Sequence, residues 1–179
     1  MKKIKMATAV LLLLCAFVAK AQVRHIKGIQ GIELGGGASR FGFIAYGSHV
    51  VYFNKKFYLK SLLFYEKAKL ANGNVSVSDV GLEVLPAYNL YNMPGKFYFN
   101  LIGGISAIVK ENMKGSTNAI EGASKIEAFK FGFMGGGEVE YYVSEKISLI
   151  STFGQRYYFS PYGSWRWGLT CGVRYSLLR

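Results

Sequence analysis

From Ser164 to Leu178 the chain alternates almost without fault. Trp165, Trp167, Leu169, Cys171, Val173, Tyr175 and Leu177 share one parity. Ser164, Arg166, Gly168, Thr170, Gly172, Arg174 and Ser176 share the other. A period of two puts each set on its own face of a β-strand. One face is apolar throughout, with aromatics near its ends; the other is small or cationic. A half-buried edge of a soluble sandwich would alternate too. So would a strand of a membrane barrel, with lipid outside and a polar lumen inside. The rest of the chain separates the two.

Eight segments have strand character, divided by turn signals. They are Gly28 to Ala38, Phe41 to Phe53, Phe57 to Lys67, Val75 to Tyr91, Lys96 to Lys110, Ala128 to Val143, Ile147 to Tyr158, and the closing segment. The connections after the second, fourth and sixth are tight: Asn54-Lys55-Lys56, Asn92-Met93-Pro94-Gly95 and Ser144-Glu145-Lys146. The longest, Glu111 to Glu127, follows the fifth, and Glu121 and Lys125 have the spacing of a helical turn within Ala119 to Glu127.

Several of these segments exceed ten residues, against five or six for typical strands of a soluble sheet. In the sixth, Phe129, Phe131, Phe133, Val139, Tyr141 and Val143 oppose Lys130, Gly132, Gly136, Glu138 and Glu140. In the fourth, Val80, Leu82, Val84, Tyr88 and Leu90 oppose Asp79, Gly81, Glu83 and Asn89. In the fifth, Phe97, Phe99, Leu101, Ile105 and Val109 oppose Tyr98, Asn100, Gly104 and Ser106. The second is apolar on both faces and gives no orientation. Trp165, Trp167, Tyr175 and Tyr141 read as interfacial girdle aromatics. A secreted lipocalin-like barrel would carry its polar residues outside. The expected fold is therefore all-β: an eight-stranded antiparallel up-and-down transmembrane β-barrel after a cleaved signal peptide.

The N-terminus supports export. Lys2, Lys3 and Lys5 precede the short apolar run Met6 to Val18, and Ala19-Lys20-Ala21 has the form of a cleavage site. This predicts a signal peptide at 1–21, exported through the Sec pathway, and an outer-membrane barrel at 22–179. Cys15 lacks the small residue expected before a lipidated cysteine, since Leu14 stands there. Cleavage would leave 158 residues, one domain, and lower the net charge from +12 to +8 by removing four lysines. Cys171 would then have no partner for an intrachain disulfide. Without a long apolar helix, a chain of this kind crosses a membrane as a closed barrel. An even strand count puts both termini on one side, the periplasm, together with the tight turns. The longest connection then faces outward.

The inward parity carries the acids Glu33, Glu66, Asp79, Glu83, Glu138 and Glu140 and the bases Lys60, Lys130, Arg156, Arg166 and Arg174. Buried charges require pairing. Eight strands enclose a space that side chains can fill. A structural charge network in a filled lumen is expected, one that passes neither DNA nor protein. Arg166 and Arg174 are expected to answer acids such as Glu33, Glu138 and Glu140. The remaining bases scatter over both rims, Lys55, Lys56, Lys96 and Lys146 on one and Lys67, Lys69, Lys110 and Lys114 on the other. That distribution suits phosphate headgroups better than a nucleic-acid track, so direct nucleic-acid binding is not expected.

Nothing in the chain has the form of a catalytic or cofactor site. His25 and His49 stand apart from any Cys/His cluster. Ser48 and His49 are adjacent in a strand and face opposite ways, which argues against a lipid-modifying Ser/His enzyme. The triplets Gly35-Gly36-Gly37 and Gly135-Gly136-Gly137 lack the lysine and the strand–helix setting of a phosphate loop. Glu138 and Glu140 share a face with Lys130, Arg156 and Arg174, which favours ion pairing over catalysis. No enzyme activity, cofactor or metal is expected.

Several stretches resemble the TraO family of conjugative-transposon transfer proteins of the Bacteroidetes. They are Gln30-Gly31-Ile32-Glu33-Leu34, Gly135-Gly136-Gly137-Glu138-Val139-Glu140, Tyr142-Val143-Ser144-Glu145-Lys146-Ile147-Ser148-Leu149, and the closing Gly168 to Tyr175 strand. The resemblance implies an accessory outer-membrane part of a DNA-transfer apparatus, with partners among its other envelope proteins and outer-membrane lipid. It supplies no catalytic residues. A general small outer-membrane barrel, for adhesion or envelope integrity, is the alternative.

Overall fold

The computed structural model describes residues 27–40, 42–70, 75–93, 96–115, 129–159 and 164–177. The expected signal peptide, the turns at 71–74 and 160–163 and the helical turn at 119–127 lie outside them. The described residues form eight strands: β1 Gln30–Ser39, β2 Gly42–Tyr52, β3 Phe57–Leu70, β4 Val75–Met93, β5 Phe97–Gly115, β6 Lys130–Tyr142, β7 Ile147–Phe159 and β8 Ser164–Leu177. Each pairs antiparallel with the next, and β8 closes on β1 from Gln30↔Leu177 to Ser39↔Gly168. The expected closed eight-stranded antiparallel barrel is what the chain forms.

Side-chain polarity explains the tight turns at one end. Asn54 Oδ1 accepts from the backbone N–H groups of Lys56 and Phe57, at 2.7 and 2.9 Å. Ser144 Oγ accepts from Ile147 N–H at 3.1 Å. Such side-chain acceptors stand in for the backbone in a turn. Before β1, Gly28 has a φ of 87°, a conformation glycine adopts without steric cost. The strand therefore begins at Gln30 rather than at Gly28.

Several strand boundaries differ from the sequence expectation. β4 and β5 run on to Met93 and Gly115, so the connection expected from Glu111 begins only after 115. Their pairing also contains two irregularities, between Val80 and Gly81 and between Asn89 and Tyr91. One extra residue, Val109 in the first case and Leu90 in the second, breaks the alternation, as bulges do. Simple parity counting along these strands therefore fails at their ends.

The wall has the polarity of a transmembrane barrel. Leu34, Leu63, Leu82, Leu101, Phe133, Phe153, Leu169 and Val173 are all exposed on the outside. Trp165 and Trp167 lie outward toward the loop end, and Tyr175 and Tyr141 toward the turn end. Tyr141 packs on Phe97 and Trp165 on Tyr157, with ring centroids 4.6 and 4.9 Å apart. β2 resolves too: Ile44, Tyr46, Ser48, Val50 and Tyr52 point inward, and His49 outward.

Candidate functional site: a two-tier charge network in the lumen

The inward faces of β1, β3, β4, β6, β7 and β8 carry charge, and closure brings those charges together. Glu33, Lys60, Glu66, Asp79, Glu83, Glu138, Glu140, Arg156 and Arg174 are all buried in the lumen. Arg166 is slightly exposed and Lys130 half-buried at the loop end.

The tier toward the turn end is built around Arg174 of β8. Its Nε and Nη2 both donate to Glu33 Oε2, at 3.0 and 2.8 Å. Nη2 also reaches Glu138 Oε1 at 2.7 Å, and Nη1 reaches Glu140 Oε2 at 3.1 Å. Lys60 Nζ bridges from β3, donating to Glu33 Oε1 at 2.7 Å and Glu138 Oε2 at 2.9 Å. Hydroxyls complete the carboxylates. Tyr46 donates to Glu33 at 2.7 Å, Tyr58 to Glu138 at 2.6 Å and Ser148 to Glu140 at 2.7 Å. The Arg174 guanidinium also lies over the Tyr58 ring, 5.3 Å from its centroid. Residues of β1, β2, β3, β6, β7 and β8 meet across the interior.

The tier toward the loop end is looser. Arg156 of β7 donates from Nε to Glu83 Oε1 at 2.5 Å, and Ser106 donates to the same oxygen at 2.9 Å. Arg166 Nη1 donates to Asp79 Oδ2 at 2.6 Å and reaches Glu66 only at 3.5 Å. Glu66 Oε1 and Arg166 Nε make no hydrogen bond among the described residues. The expectation for Arg174 matches these contacts. That for Arg166 is corrected: it pairs with Asp79 and Glu66, because it sits near the opposite end of β8 from Glu33, whose register partner is Arg174.

The interior is also less purely polar than the ions and glycines suggested. Ile44, Phe64, Leu85, Ile102 and Ile108 are fully buried, as are Tyr52, Tyr58, Tyr142 and Tyr158. Sequence reasoning missed these four tyrosines, although parity could have found three. Tyr58 shares a face with Lys60, Tyr142 with Glu140 and Tyr158 with Arg156. Ser48 is buried and His49 exposed on the opposite face, hydrogen-bonded to Gln30 at 3.1 Å. No group of three or more His, Cys, Asp or Glu side chains among the described residues is arranged to hold a metal ion. What the site can do chemically is hold charge in place and fill the barrel.

No protein-family model matches the chain, and no curated protein matches it. Solved structures match its fold. The N-terminal β-barrel domain of Pseudomonas aeruginosa OprF is similar at 14% identity and a TM-score of 0.57, covering 84% of this chain and 98% of that one. The outer membrane protein OprG of Pseudomonas aeruginosa is similar at 10% identity and 0.56, covering 88% and 100%. Ail, the attachment invasion locus protein of Yersinia pestis, is similar at 9% and 0.53, covering 85% and 100%. At these identities the likeness is one of fold.

Proposed function

We propose that this chain is a small outer-membrane β-barrel, exported through the Sec pathway with both termini in the periplasm, that acts as a structural element and not as an enzyme or a conduit. The observation that carries this reading is the pairing of an apolar outer wall with a lumen crossed by Arg174, Lys60 and their carboxylates. A wall of that polarity belongs in lipid. A lumen so filled leaves no path for a polymer. Heat-modifiable mobility in the outer-membrane fraction is the expected behaviour, and a purely soluble periplasmic product would refute it.

Within that role we propose an accessory part in conjugative DNA transfer, docked to other envelope proteins of the apparatus through the turn end or the barrel wall. The TraO resemblance supports it. The test is a mating assay with a clean deletion complemented in trans. Loss of transfer restored by the complementing gene supports the role, and normal transfer frequency sinks it. The likeness in fold to Ail, the attachment invasion locus protein of Yersinia pestis, supports a second reading, a surface barrel for adhesion or envelope integrity. In that case deletion changes attachment or envelope tolerance and leaves mating intact.

A further inference from the structure

Of the four strands that start at the turn end, three follow directly on a lysine: Lys56 before β3, Lys96 before β5 and Lys146 before β7. Each lysine extends a ladder by one rung. Its main-chain carbonyl accepts from the N–H of Asn89, Tyr142 and Ser176 respectively, at 2.7, 3.0 and 2.7 Å. Residues opposed across a ladder share a face of the sheet. Asn89, Tyr142 and Ser176 are buried in the lumen, so the three lysines stand on the lumen side of the wall. The residues that follow them, Phe57, Phe97 and Ile147, are exposed on the lipid side. On β1 the same rung joins the Tyr52 N–H to the Ile29 carbonyl at 3.0 Å, so an apolar residue takes the fourth place.

These lysines ring the mouth of the lumen. Lys56 and Lys146 are exposed and Lys96 is half-buried. None of the three forms a side-chain hydrogen bond or ion pair among the described residues. Below them the mouth has a floor. Tyr58 and Tyr98 are buried there against Tyr52 and Tyr142, with ring centroids 5.2 and 5.4 Å apart. An occupant therefore lies across the mouth and does not enter it. Three cations without partners call for negative charge. Lipid headgroups meet the outward Phe57, Phe97 and Ile147, on the other side of the wall. A second copy would bring like charge, since the three tight turns hold Lys55, Lys56, Lys96 and Lys146 against Glu145 alone. Alternate strands lie roughly 10 Å apart, too far for one small anion to bridge. An extended polypeptide with an acid at every third residue repeats at about the same distance.

We propose that the lumen mouth at the turn end docks an extended, acidic segment of a periplasmic envelope protein, with its carboxylates over Lys56, Lys96 and Lys146. The inference rests on the reading of the chain as an accessory barrel docked to other envelope proteins, and it names the face that docks and the chemistry of the partner.

The test places the full protein in phosphatidylcholine nanodiscs with a fluorescent peptide of repeated Asp-Gly-Ser, read by anisotropy at low salt. Wild type should bind this peptide and not its Asn-Gly-Ser counterpart. Lys56→Gln, Lys96→Gln and Lys146→Gln combined should bind about tenfold more weakly, the loss of three exposed ion pairs of ordinary strength. Lys55→Gln, Lys67→Gln and Lys110→Gln combined remove equal charge from exposed positions off the ring and should bind as wild type. Heat-modifiable mobility checks that each variant folds, since the rungs use main-chain carbonyls that the substitutions leave in place. Equal loss in both triple variants would overturn the proposal, as would tighter binding of an oligonucleotide or of soluble peptidoglycan fragments of equal charge. In the mating assay the ring variant should complement the deletion poorly. Normal transfer by the deletion itself defeats the accessory role. Impaired transfer that the ring variant fully restores defeats only the docking mouth.

Discussion

Arg174 and Glu33 face each other across the seam where the last strand closes on the first. They are register partners, and two guanidinium nitrogens of Arg174 converge on one carboxylate oxygen at 3.0 and 2.8 Å. The same arginine holds Glu138 and Glu140 of β6, so closure of the barrel and neutralisation of its interior acids are one event.

Arg174→Met is therefore expected to be among the most damaging single changes. It strands three buried carboxylates with Lys60 as the remaining cation of that tier. Removing one partner of a buried ion pair costs about 3–5 kcal/mol. Urea unfolding in lipid vesicles should show a loss of that order, and the double variant Arg174→Met with Glu33→Gln should lose less than the sum of the two singles.

The loop-end tier should tolerate change better. Glu66 receives only the 3.5 Å contact from Arg166, and its other oxygen has no partner among the described residues. Glu66→Gln should shift stability by no more than ~1 kcal/mol, the scale of an ordinary hydrogen bond. Glu138→Gln, which disturbs Lys60, Arg174 and Tyr58 together, should cost more in the same unfolding measurement.

Two adjacent glycines should behave oppositely. Gly136→Ala would press a methyl to 2.2 Å of the Phe153 oxygen and needs backbone movement, whereas Gly135→Ala enters open space. Overpacking costs about 1–3 kcal/mol. Folding yield and unfolding midpoint should fall for Gly136→Ala and stay at wild type for Gly135→Ala.

Depth should govern the cost of a charge on the wall. Leu169 lies within the apolar band and Leu177 at the turn-end rim. Leu169→Arg should destabilise by about 2–4 kcal/mol and Leu177→Arg by about 0–1. Equal costs would mean that the wall does not face a bilayer.

The filled lumen predicts the electrical behaviour. In a planar bilayer the protein should show no steady conductance. A stable open channel would contradict the packing of Tyr52, Tyr58, Lys60 and Arg174 in the interior.

Much of this was legible in the chain because a barrel strand is a local object. A period of two assigns each side chain to a face with no knowledge of its neighbours, and the need to keep apolar atoms in lipid makes that period visible from Trp165 to Leu177. Strand number, the tight turns at Asn54 and Ser144, and the inward side of each charge follow from the same logic. β2 defeated it because Ile44, Val50 and Tyr52 fill the lumen with apolar atoms, so polarity no longer tells inside from outside.

What the chain alone determined is parity: which side chains turn inward and that acids and bases are nearly matched there. What only the closed structure decided is partnership. Strand stagger and bulges set the height of each residue along the barrel, and height decides that Arg174 meets Glu33, Glu138 and Glu140 while Arg166, on the same face of the same strand, meets Asp79. Contacts between strands far apart in sequence depend on that three-dimensional stagger, and a one-dimensional period carries no record of it.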